Sequence, residues 1–497
     1  MMKSPINHSH LLPAIGIVSI FIIFGLYSAT DGVRGTDQYW YVDQVTALLE
    51  GRGPVSNNIY PVSAFGNAPK LPRPFVQNFP IVYIVSVIAM LTGSFWGWII
   101  TNLLCSILTA LIISRTVHHL TKDYNAALFS GLFYILLPVT FWNTVQPLSE
   151  PFLGLLTSIA VYVLIIYPAN IKKFFILSLI AGLLYLSRKS YILLFPIIVG
   201  AFIFFRGFRK KDVSGAVALI LIMLSFVLAA KIWFPTNVDR SLFDFLMACT
   251  EKYPSNMLGF YNIEGTEFLL SQFLAKVYTG LKIQITGDDF RLLLLFYVPF
   301  NLCIMAIFIQ AFRVKEIHSS LLSAAIFFFI YICSVMVFQN QFRYQLMAWP
   351  AIIVAMFHYF RCWFIKPSIL KKIVCVCVVL SATSVFFIAS NQLKSNAVKD
   401  AQIVSEIKQQ VKKIIPQQDI VMVICDNGRH ALIGHAFWPQ LVLFAKTNQP
   451  NDVYEQLAKN TNCRWILCEA DTVKWKDRKL VNNILVSQGS GRFQVYQ

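Results

Sequence analysis

The chain has 497 residues, of which 57% are hydrophobic and only 13% are charged, against about 25% charged residues in a typical soluble protein. This composition excludes an ordinary soluble enzyme and favours a protein embedded in a bilayer. The formal net charge of +18 does not indicate a nucleic-acid partner, because the basic residues form short clusters between apolar segments, as in the cytoplasmic loops of membrane proteins.

Long segments without Asp, Glu, Lys or Arg predict transmembrane helices, since about 20 apolar residues cross about 30 Å of hydrocarbon. Only helices satisfy their backbone hydrogen bonds within one such segment. We therefore predict a polytopic bundle with about 11 transmembrane helices. The predicted spans cover residues 11–29, 95–114, 124–141, 151–169, 173–187, 190–205, 213–231, 292–312, 319–338, 345–360 and 373–391.

The segment from Phe79 to Thr92 decides the predicted topology. It is apolar but only fourteen residues long, a length that fits an interfacial or re-entrant segment as well as a spanning one. If it does not cross, every large basic cluster lies in the cytoplasm, as the positive-inside rule requires. We therefore predict that it does not cross and that the loops holding residues 30–78, 142–150 and 339–344 share the outer side.

Two further regions complete the predicted organisation. The outer loop at 232–291 contains apolar residues at helical spacing, which predicts an amphipathic helix resting on the membrane or on the bundle. After a transmembrane domain at 1–393, which includes an outer loop and juxtamembrane helices at 30–94, residues 394–497 are polar and predict a small extracytoplasmic α/β domain. Its strands are predicted at 420–424 and 464–468, with one helix over 397–414 and another near 452–459. Cys425, Cys463 and Cys468 could form a disulfide there, with the pairing left open.

Acidic residues follow the first span closely. Asp37 and Tyr41 are four residues apart and share a helical face, with Gln38 and Asp43 nearby. A carboxylate at the mouth of a membrane cavity can act as a general base or bind a cation. An acid that caps the start of a helix explains the spacing equally well.

Glu150 is the only acid between Asp123 and Asp212, and it follows the predicted third span. It is either a charge that stabilises the start of a helix or the partner of Asp37 in an acidic site. The sequence leaves both interpretations open.

Cations also occur on the predicted outer side, against the positive-inside trend. Arg188 and Lys189 interrupt two apolar segments, and Arg343 precedes Tyr344 in a segment rich in amides. A bound phosphate would explain them, because arginine offers two parallel donors to it. A hairpin that tolerates snorkelling cations is the alternative for the first pair. Carboxylates together with phosphate-binding cations suit the transfer of a sugar from a lipid phosphate.

These residues resemble the GT-C membrane glycosyltransferases, nearest the branch of the protein O-mannosyltransferases and lipid A aminoarabinose transferases. In that branch the first outer loop carries an acid followed by Tyr four residues later, as at Asp37 and Tyr41. Its proline-led juxtamembrane helix resembles residues 80–93, and its acid after the third span resembles Glu150. Its later Arg-Tyr pair resembles Arg343-Tyr344.

The Gly-Leu-x-x-Leu-(Lys/Arg) turn of the family also resembles Gly182 to Arg188, with a small register offset, and the whole resemblance covers residues 10–390. It implies an all-α, GT-C-like membrane bundle and an inverting glycosyltransferase, which would transfer a hexose or pentose from a polyprenyl-phosphate donor to a hydroxyl on the extracytoplasmic side. The acceptor would be a lipid, glycan or protein, and the enzyme would lie in the plasma (inner) membrane.

The resemblance also implies roles for single residues. Asp37 would be the catalytic base and Glu150 would position the acceptor or a cation. Arg188, Lys189, Arg343 and Tyr344 would bind the donor phosphate, with Tyr41, Gln38 and Asp43 in support. A divalent cation at Asp37 and Glu150 is an option, but the family's common second acid is replaced by Gln38, which puts metal binding there in doubt.

A lipid or polysaccharide flippase is the competing class, and a polysaccharide polymerase or ligase would use similar residues on another acceptor. Transporters usually contain internal repeats and helices broken near the midplane. We find neither in the sequence, and the polar groups collect at one predicted edge of the membrane.

Overall fold

The computed structural model describes two compact units. Unit 1 comprises residues 1–30, 99–233 and 275–392, and unit 2 comprises residues 31–98, 234–274 and 393–497. Besides single positions such as His435 and Gln440, the structure describes residues 11–29, 36–53, 55–56, 58–59, 73–74, 79–167, 171–187, 297–314, 342–360, 401–411, 413–424, 442–445, 451–460, 462–469, 479–485 and 492–497.

The described part of unit 1 is helical. Its elements are α1 (Leu11–Ala29), most of α4 (Ser94–Thr121), α5 (Tyr124–Leu136), α6 (Pro138–Thr144), α7 (Glu150–Ile166), α8 (Ile171–Ser187), α9 (Val298–Val314), the 3₁₀ helix η1 (Phe342–Met347) and α10 (Trp349–Tyr359).

Helix α10 lies at the centre of this packing. It contacts α5, α7 and α9, and nine of its eleven residues are buried. A helix that is apolar on all sides is typical of a bundle interior or of a membrane.

The predicted span 124–141 consists of two helices rather than one continuous helix. Helices α5 and α6 meet at an angle of 58°. Leu137 between them is extended, with φ −63° and ψ 129°, because the ring of Pro138 disfavours the α conformation in the residue before it. Pro138 then starts α6, where its missing N–H costs nothing.

Among the described residues, α4 alone is long and apolar enough to cross a membrane as one helix, and the bent pair α5–α6 meets the same standard when taken together. Helices α1, α7, α8, α9 and α10 are apolar but shorter. The predicted spans 190–205 and 319–338 lie outside the described residues. So do most of the spans 213–231 and 373–391 and almost all of the outer loop 232–291. The number of eleven spans therefore stays a prediction.

Unit 2 begins with two helices that pack on each other, α2 (Thr36–Leu49) and α3 (Phe79–Thr92). Gly51, at φ +74°, ends α2. Its N–H donates to Leu48 O and the N–H of Arg52 donates to Ala47 O, which is the Schellman arrangement that closes a helix with a left-handed residue.

Helix α3 has 14 residues, about 21 Å at 1.5 Å per residue. That is shorter than the hydrocarbon layer of about 30 Å. One of its sides is buried, with Ile81, Val82 and Val85 fully covered, while Val87 and Leu91 on another side are exposed. Its length agrees with the predicted non-spanning segment, and its place relative to a membrane stays a prediction.

The remaining described elements of unit 2 are strands and helices of an α/β arrangement. They are β1 (Val55–Ser56), β2 (Asn58–Ile59), β3 (Arg73–Pro74), β4 (Val421–Ile424), β5 (Val442–Ala445), α11 (Asn451–Asn460), β6 (Trp465–Glu469), β7 (Leu480–Leu485) and β8 (Arg492–Tyr496). Residues 401–411 are helical as well.

Six strands form one sheet in the order β2-β5-β4-β6-β8-β7. The first four are parallel, and β8 runs antiparallel to both β6 and β7. Strand β2 comes from the segment that follows α2, and pairs Asn58 with Val442 and Ile59 with Leu443. The sheet therefore joins two parts of the chain that the sequence analysis had placed in separate domains.

Both faces of this sheet are covered, which explains why β4 reads as the continuous apolar run Val-Met-Val-Ile. Val421 and Val423 pack with Ile407 and Val411 of the helix at 401–411. Met422 and Ile424 point the other way, as alternation along a strand requires. They pack with residues of α11, including Tyr454 and Leu457.

Candidate functional site

Glu150 is the first residue of α7, and its side chain is completely buried. Ser149 precedes it at the N-cap position and Pro151 follows it within the first turn. A carboxylate at this position is stabilised by the helix dipole. Glu150 therefore lies at the start of a helix, and its proposed partnership with Asp37 stays a prediction.

Glu150 also forms an ion pair with Arg343. The Nε atom of Arg343 lies 3.4 Å from Oε1 of Glu150, and 13% of the arginine side chain is exposed. The 3₁₀ helix η1 places Arg343 there, because η1 packs on both α6 and α7. A buried carboxylate needs a counter-charge, and a guanidinium that keeps some exposure can also reach an anionic ligand.

Other polar side chains are buried close to this pair in the chain. Gln345 and Ser149 have no exposed surface, and their side-chain polar atoms have no hydrogen-bond partner within the part of the chain that the structure describes. Buried polar groups in native proteins are almost always satisfied by protein, water or ligand. The start of α7 is therefore a polar region inside an otherwise apolar unit.

The surroundings of Glu150 do not favour a divalent cation as its ligand. The guanidinium of Arg343 already lies beside the carboxylate and repels a second positive charge. The side chain of Asp37 lies outside the described residues, so the predicted cation site at Asp37 and Glu150 stays a prediction.

Helix α2 carries the predicted base. Asp37 is its second residue, and the structure describes the backbone of Asp37 but not its side chain. Gln38 and Tyr41 are buried, with 6% exposure each. The ring of Tyr41 lies 5.6 Å from that of Trp98, centroid to centroid, and Trp98 Nε1 donates to the Tyr41 carbonyl at 3.0 Å. These contacts attach one side of α2 to the start of α4.

Asp43, on the same helix, has a partner that no sequence pattern indicates. Its Oδ1 lies 2.6 Å from Nδ1 of His435, and the aspartate side chain is 4% exposed against 29% for the histidine. The ring of Tyr39 lies 4.7 Å from the imidazole, centroid to centroid. Helix α2 and the C-terminal segment are thus in direct polar contact within unit 2.

Burial raises the pKa of the Asp43 carboxyl above its ordinary value, because desolvation disfavours the charged form. The attraction of His435, then of Lys408 and Arg52, opposes this shift without cancelling it. These neighbours therefore favour the charged form of the carboxyl, whereas burial disfavours it.

The structure thus brings together two of the predicted site residues, Glu150 and Arg343. Arg188 and Lys189 lie outside the described residues, and Tyr344 is described only as part of η1. The prediction missed His435 and Gln345. His435 is one of eight histidines, and nothing in its neighbourhood in the sequence marks it, because its partner lies in the first outer loop.

Among the cysteines, Cys463 and Cys468 are both buried free thiols. The Cys463 thiol donates to the carbonyls of Ile420 and Trp465, at 3.1 Å each. Cys425 lies outside the described residues.

No protein-family model matches the sequence, and a search of curated proteins finds no match. Solved structures do match. ArnT from Cupriavidus metallidurans, in a crystal structure with bound undecaprenyl phosphate, aligns over 97% of both chains with a TM-score of 0.57 and 13% sequence identity. The apo form of that protein aligns over 98% of both chains with a TM-score of 0.56 and 13% identity.

The archaeal oligosaccharyltransferase AglB from Archaeoglobus fulgidus is also similar. Its structure with an inhibitory peptide and a dolichol phosphate covers 91% of this chain and 69% of its own, with a TM-score of 0.52 and 13% identity. Both proteins are membrane glycosyltransferases of the GT-C type. The chain described here therefore has the GT-C fold of membrane glycosyltransferases, as the motifs in its sequence predicted.

Proposed function

We propose that this protein is an integral membrane glycosyltransferase, which moves a hexose or pentose from a polyprenyl-phosphate donor to an acceptor hydroxyl on the extracytoplasmic side of the plasma membrane. Similarity over nearly the full length to ArnT, in a structure that contains undecaprenyl phosphate, supports the fold and the class of lipid. The acceptor would be a lipid, a glycan or a protein.

The observation that carries the proposal is the buried pair of Glu150 and Arg343. An arginine beside a buried carboxylate is held in one orientation and is partly exposed. It can therefore offer its remaining N–H donors to a phosphate. We therefore assign this arrangement a role in binding the donor lipid.

In the proposed mechanism Asp37 accepts the proton of the acceptor hydroxyl as that oxygen attacks the anomeric carbon of the donor sugar. The bond from the anomeric carbon to the phosphate oxygen breaks, and the polyprenyl phosphate leaves with the bonding electrons. Arg188, Lys189 and Arg343 stabilise the charge on the leaving phosphate, and Tyr344 assists them. Attack from the face opposite the phosphate inverts the anomeric configuration.

The other predicted residues have supporting roles in this proposal. The buried side chains of Gln38 and Tyr41 pack α2 in place. Asp43 fixes the same helix through its contact with His435. Glu150 orients Arg343. The mechanism is written without a metal ion, because Gln38 replaces the common second acid of the family.

A lipid-linked sugar flippase is the second candidate, since it also needs cations for the lipid phosphate. A polysaccharide polymerase or ligase differs only in its acceptor. An assay in proteoliposomes with the donor on one side distinguishes a glycosyltransferase from a flippase. The enzyme releases undecaprenyl phosphate, whereas a flippase only moves the intact donor across the membrane.

The test uses the full chain in nanodiscs, with undecaprenyl phosphates that carry single hexoses or pentoses and a cell-envelope extract as acceptor. We expect undecaprenyl phosphate to be released, as measured by mass spectrometry. The variant Asp37→Asn should lower the release rate by about 10²-fold or more without weakening the binding of undecaprenyl phosphate.

Asp123→Asn is the matched control. The side chain of Asp123 accepts a hydrogen bond from Asn125 N at the start of α5. Because asparagine caps a helix about as well as aspartate, this variant removes one carboxylate and should leave both stability and the release rate unchanged. Full activity of Asp37→Asn would disprove the role of Asp37 as base.

A further inference from the structure

Helix α2 is held from two sides by different parts of unit 2. On one side Trp98 donates to the Tyr41 carbonyl, and the hydroxyls of Thr46 and Ser94 lie 2.8 Å apart. On the other side His435 contacts both Asp43 and Tyr39. The first set of contacts comes from the chain that follows α3, and the second comes from the C-terminal segment.

The contact with His435 is more than ordinary packing. Asp43 is nearly fully buried, and its second oxygen, Oδ2, has no hydrogen-bond partner within the described residues. The imidazole is therefore the principal polar partner of a carboxylate that burial would otherwise destabilise. A buried carboxylate of this kind fixes the orientation of the histidine, and the histidine in turn fixes the place of the carboxylate.

The position of this contact on α2 links it to the proposed base. Asp37 precedes Asp43 by six residues on one continuous helix, which places the two about 120° apart around the helix axis. A helix moves as a rigid element, so a shift at Asp43 also displaces Asp37 without any contact between them.

We propose that His435 is a positioning residue for the transfer reaction, through which the C-terminal segment holds helix α2 and therefore Asp37 in place. This inference rests on the proposed function for the reaction that Asp37 serves. It assigns a role to the C-terminal segment, whose strand β5 also pairs with β2 in the segment that follows α2.

Hydrogen–deuterium exchange of the full-length protein in nanodiscs tests the contact without any substrate. His435→Leu removes the donor, and we expect amide exchange in residues 36–49 to accelerate about tenfold, as for the loss of one hydrogen bond to a charged group. His435→Asn should restore most of the protection, because its amide nitrogen lies near the place of Nδ1 and can still donate to Asp43.

Gln440→Leu is the matched control. Its side-chain amide donates to the carbonyls of Pro416 and Asp419, so its loss should accelerate exchange near 416–419 and leave residues 36–49 unchanged. If His435→Leu leaves exchange in 36–49 at the wild-type rate, or raises it equally throughout unit 2, the proposal is wrong. Neither outcome depends on enzymatic activity, so failure here is distinguishable from failure of the proposed function.

The kinetic test uses the undecaprenyl-phosphate sugar and envelope extract of the release assay. His435→Leu should lower kcat about tenfold while KM for the donor stays within about twofold, because an interaction needed only for alignment of the reacting groups affects the chemical step. His435→Asn should recover most of kcat. A rise in KM with unchanged kcat would overturn the positioning role and indicate that His435 contributes to donor binding.

Discussion

Arg343 Nε and Glu150 Oε1 are 3.4 Å apart, and the glutamate is fully buried. We expect Arg343→Met to destabilise the protein by about 3–5 kcal/mol, because it removes the guanidinium that lies beside a buried carboxylate. It should also weaken the binding of undecaprenyl phosphate. Thermal unfolding in detergent and a lipid-binding titration measure the two effects.

The double variant Glu150→Leu with Arg343→Met separates structure from function. With both charges removed, the unfolding temperature should recover most of the loss seen in Arg343→Met, while binding of undecaprenyl phosphate should remain weak. Wild-type lipid binding by the double variant would show that the pair has a structural role only.

We expect the stability of the folded protein to depend on pH through Asp43. Burial raises the pKa of its carboxyl above 3.8, so between that value and its folded-state pKa the folded protein binds more protons than the unfolded chain. The free energy of unfolding contributed by Asp43 therefore falls as pH rises through this window. Asp43→Asn removes this contribution, so its unfolding temperature relative to wild type should increase from pH 4 upward.

Thermal unfolding of both proteins across pH 4 to 7.5 provides the measurement. Asp452→Asn, which removes an exposed carboxylate from α11, controls for the loss of one negative charge from unit 2. A relative unfolding temperature of Asp43→Asn that decreases with pH would show that His435 and its cationic neighbours outweigh the cost of burial.

We expect Lys173 to stabilise the C-terminal end of α7. Its buried ammonium donates to the carbonyls of Leu164 at 2.6 Å and Tyr167 at 3.1 Å, groups that have no partner within the helix. Lys173→Met should lower stability by about 1–3 kcal/mol. The neighbouring Lys172 is exposed, so Lys172→Met should change stability by less than about 0.5 kcal/mol, and equal effects would contradict the capping role.

Helices α4 and α5 approach each other closely at Gly131. A Cβ atom there would overlap Ser114 Oγ and lie 2.8 Å from the carbonyl oxygen of Ala110, so Gly131→Ala should cost about 1–3 kcal/mol. Gly16 in α1 has nothing within 4 Å of the same position, and Gly16→Ala should be neutral or stabilising by up to about 1 kcal/mol. Thermal unfolding of the two variants tests whether the helices approach this closely.

The sequence by itself determined the local features. Apolar segments predicted α1, α4, α7 and α8, and the spacing of Asp37 and Tyr41 indicated a helix where α2 lies. Helical periodicity and charge content are properties of neighbouring residues. The order of short motifs identified the GT-C fold even at the 13% identity seen with the matched structures. Glu150 and Arg343 were recognisable because each charge is unusual for its place in the chain.

Only the tertiary structure decided which of these residues meet. The contact between Glu150 and Arg343 depends on η1 packing against α6 and α7, and no local pattern encodes that packing. Asp43 and His435 meet because the segment after α2 joins the C-terminal sheet through β2. Long-range pairs follow from how elements bury their apolar faces together, so the sequence indicated the chemistry of these side chains but not their partners.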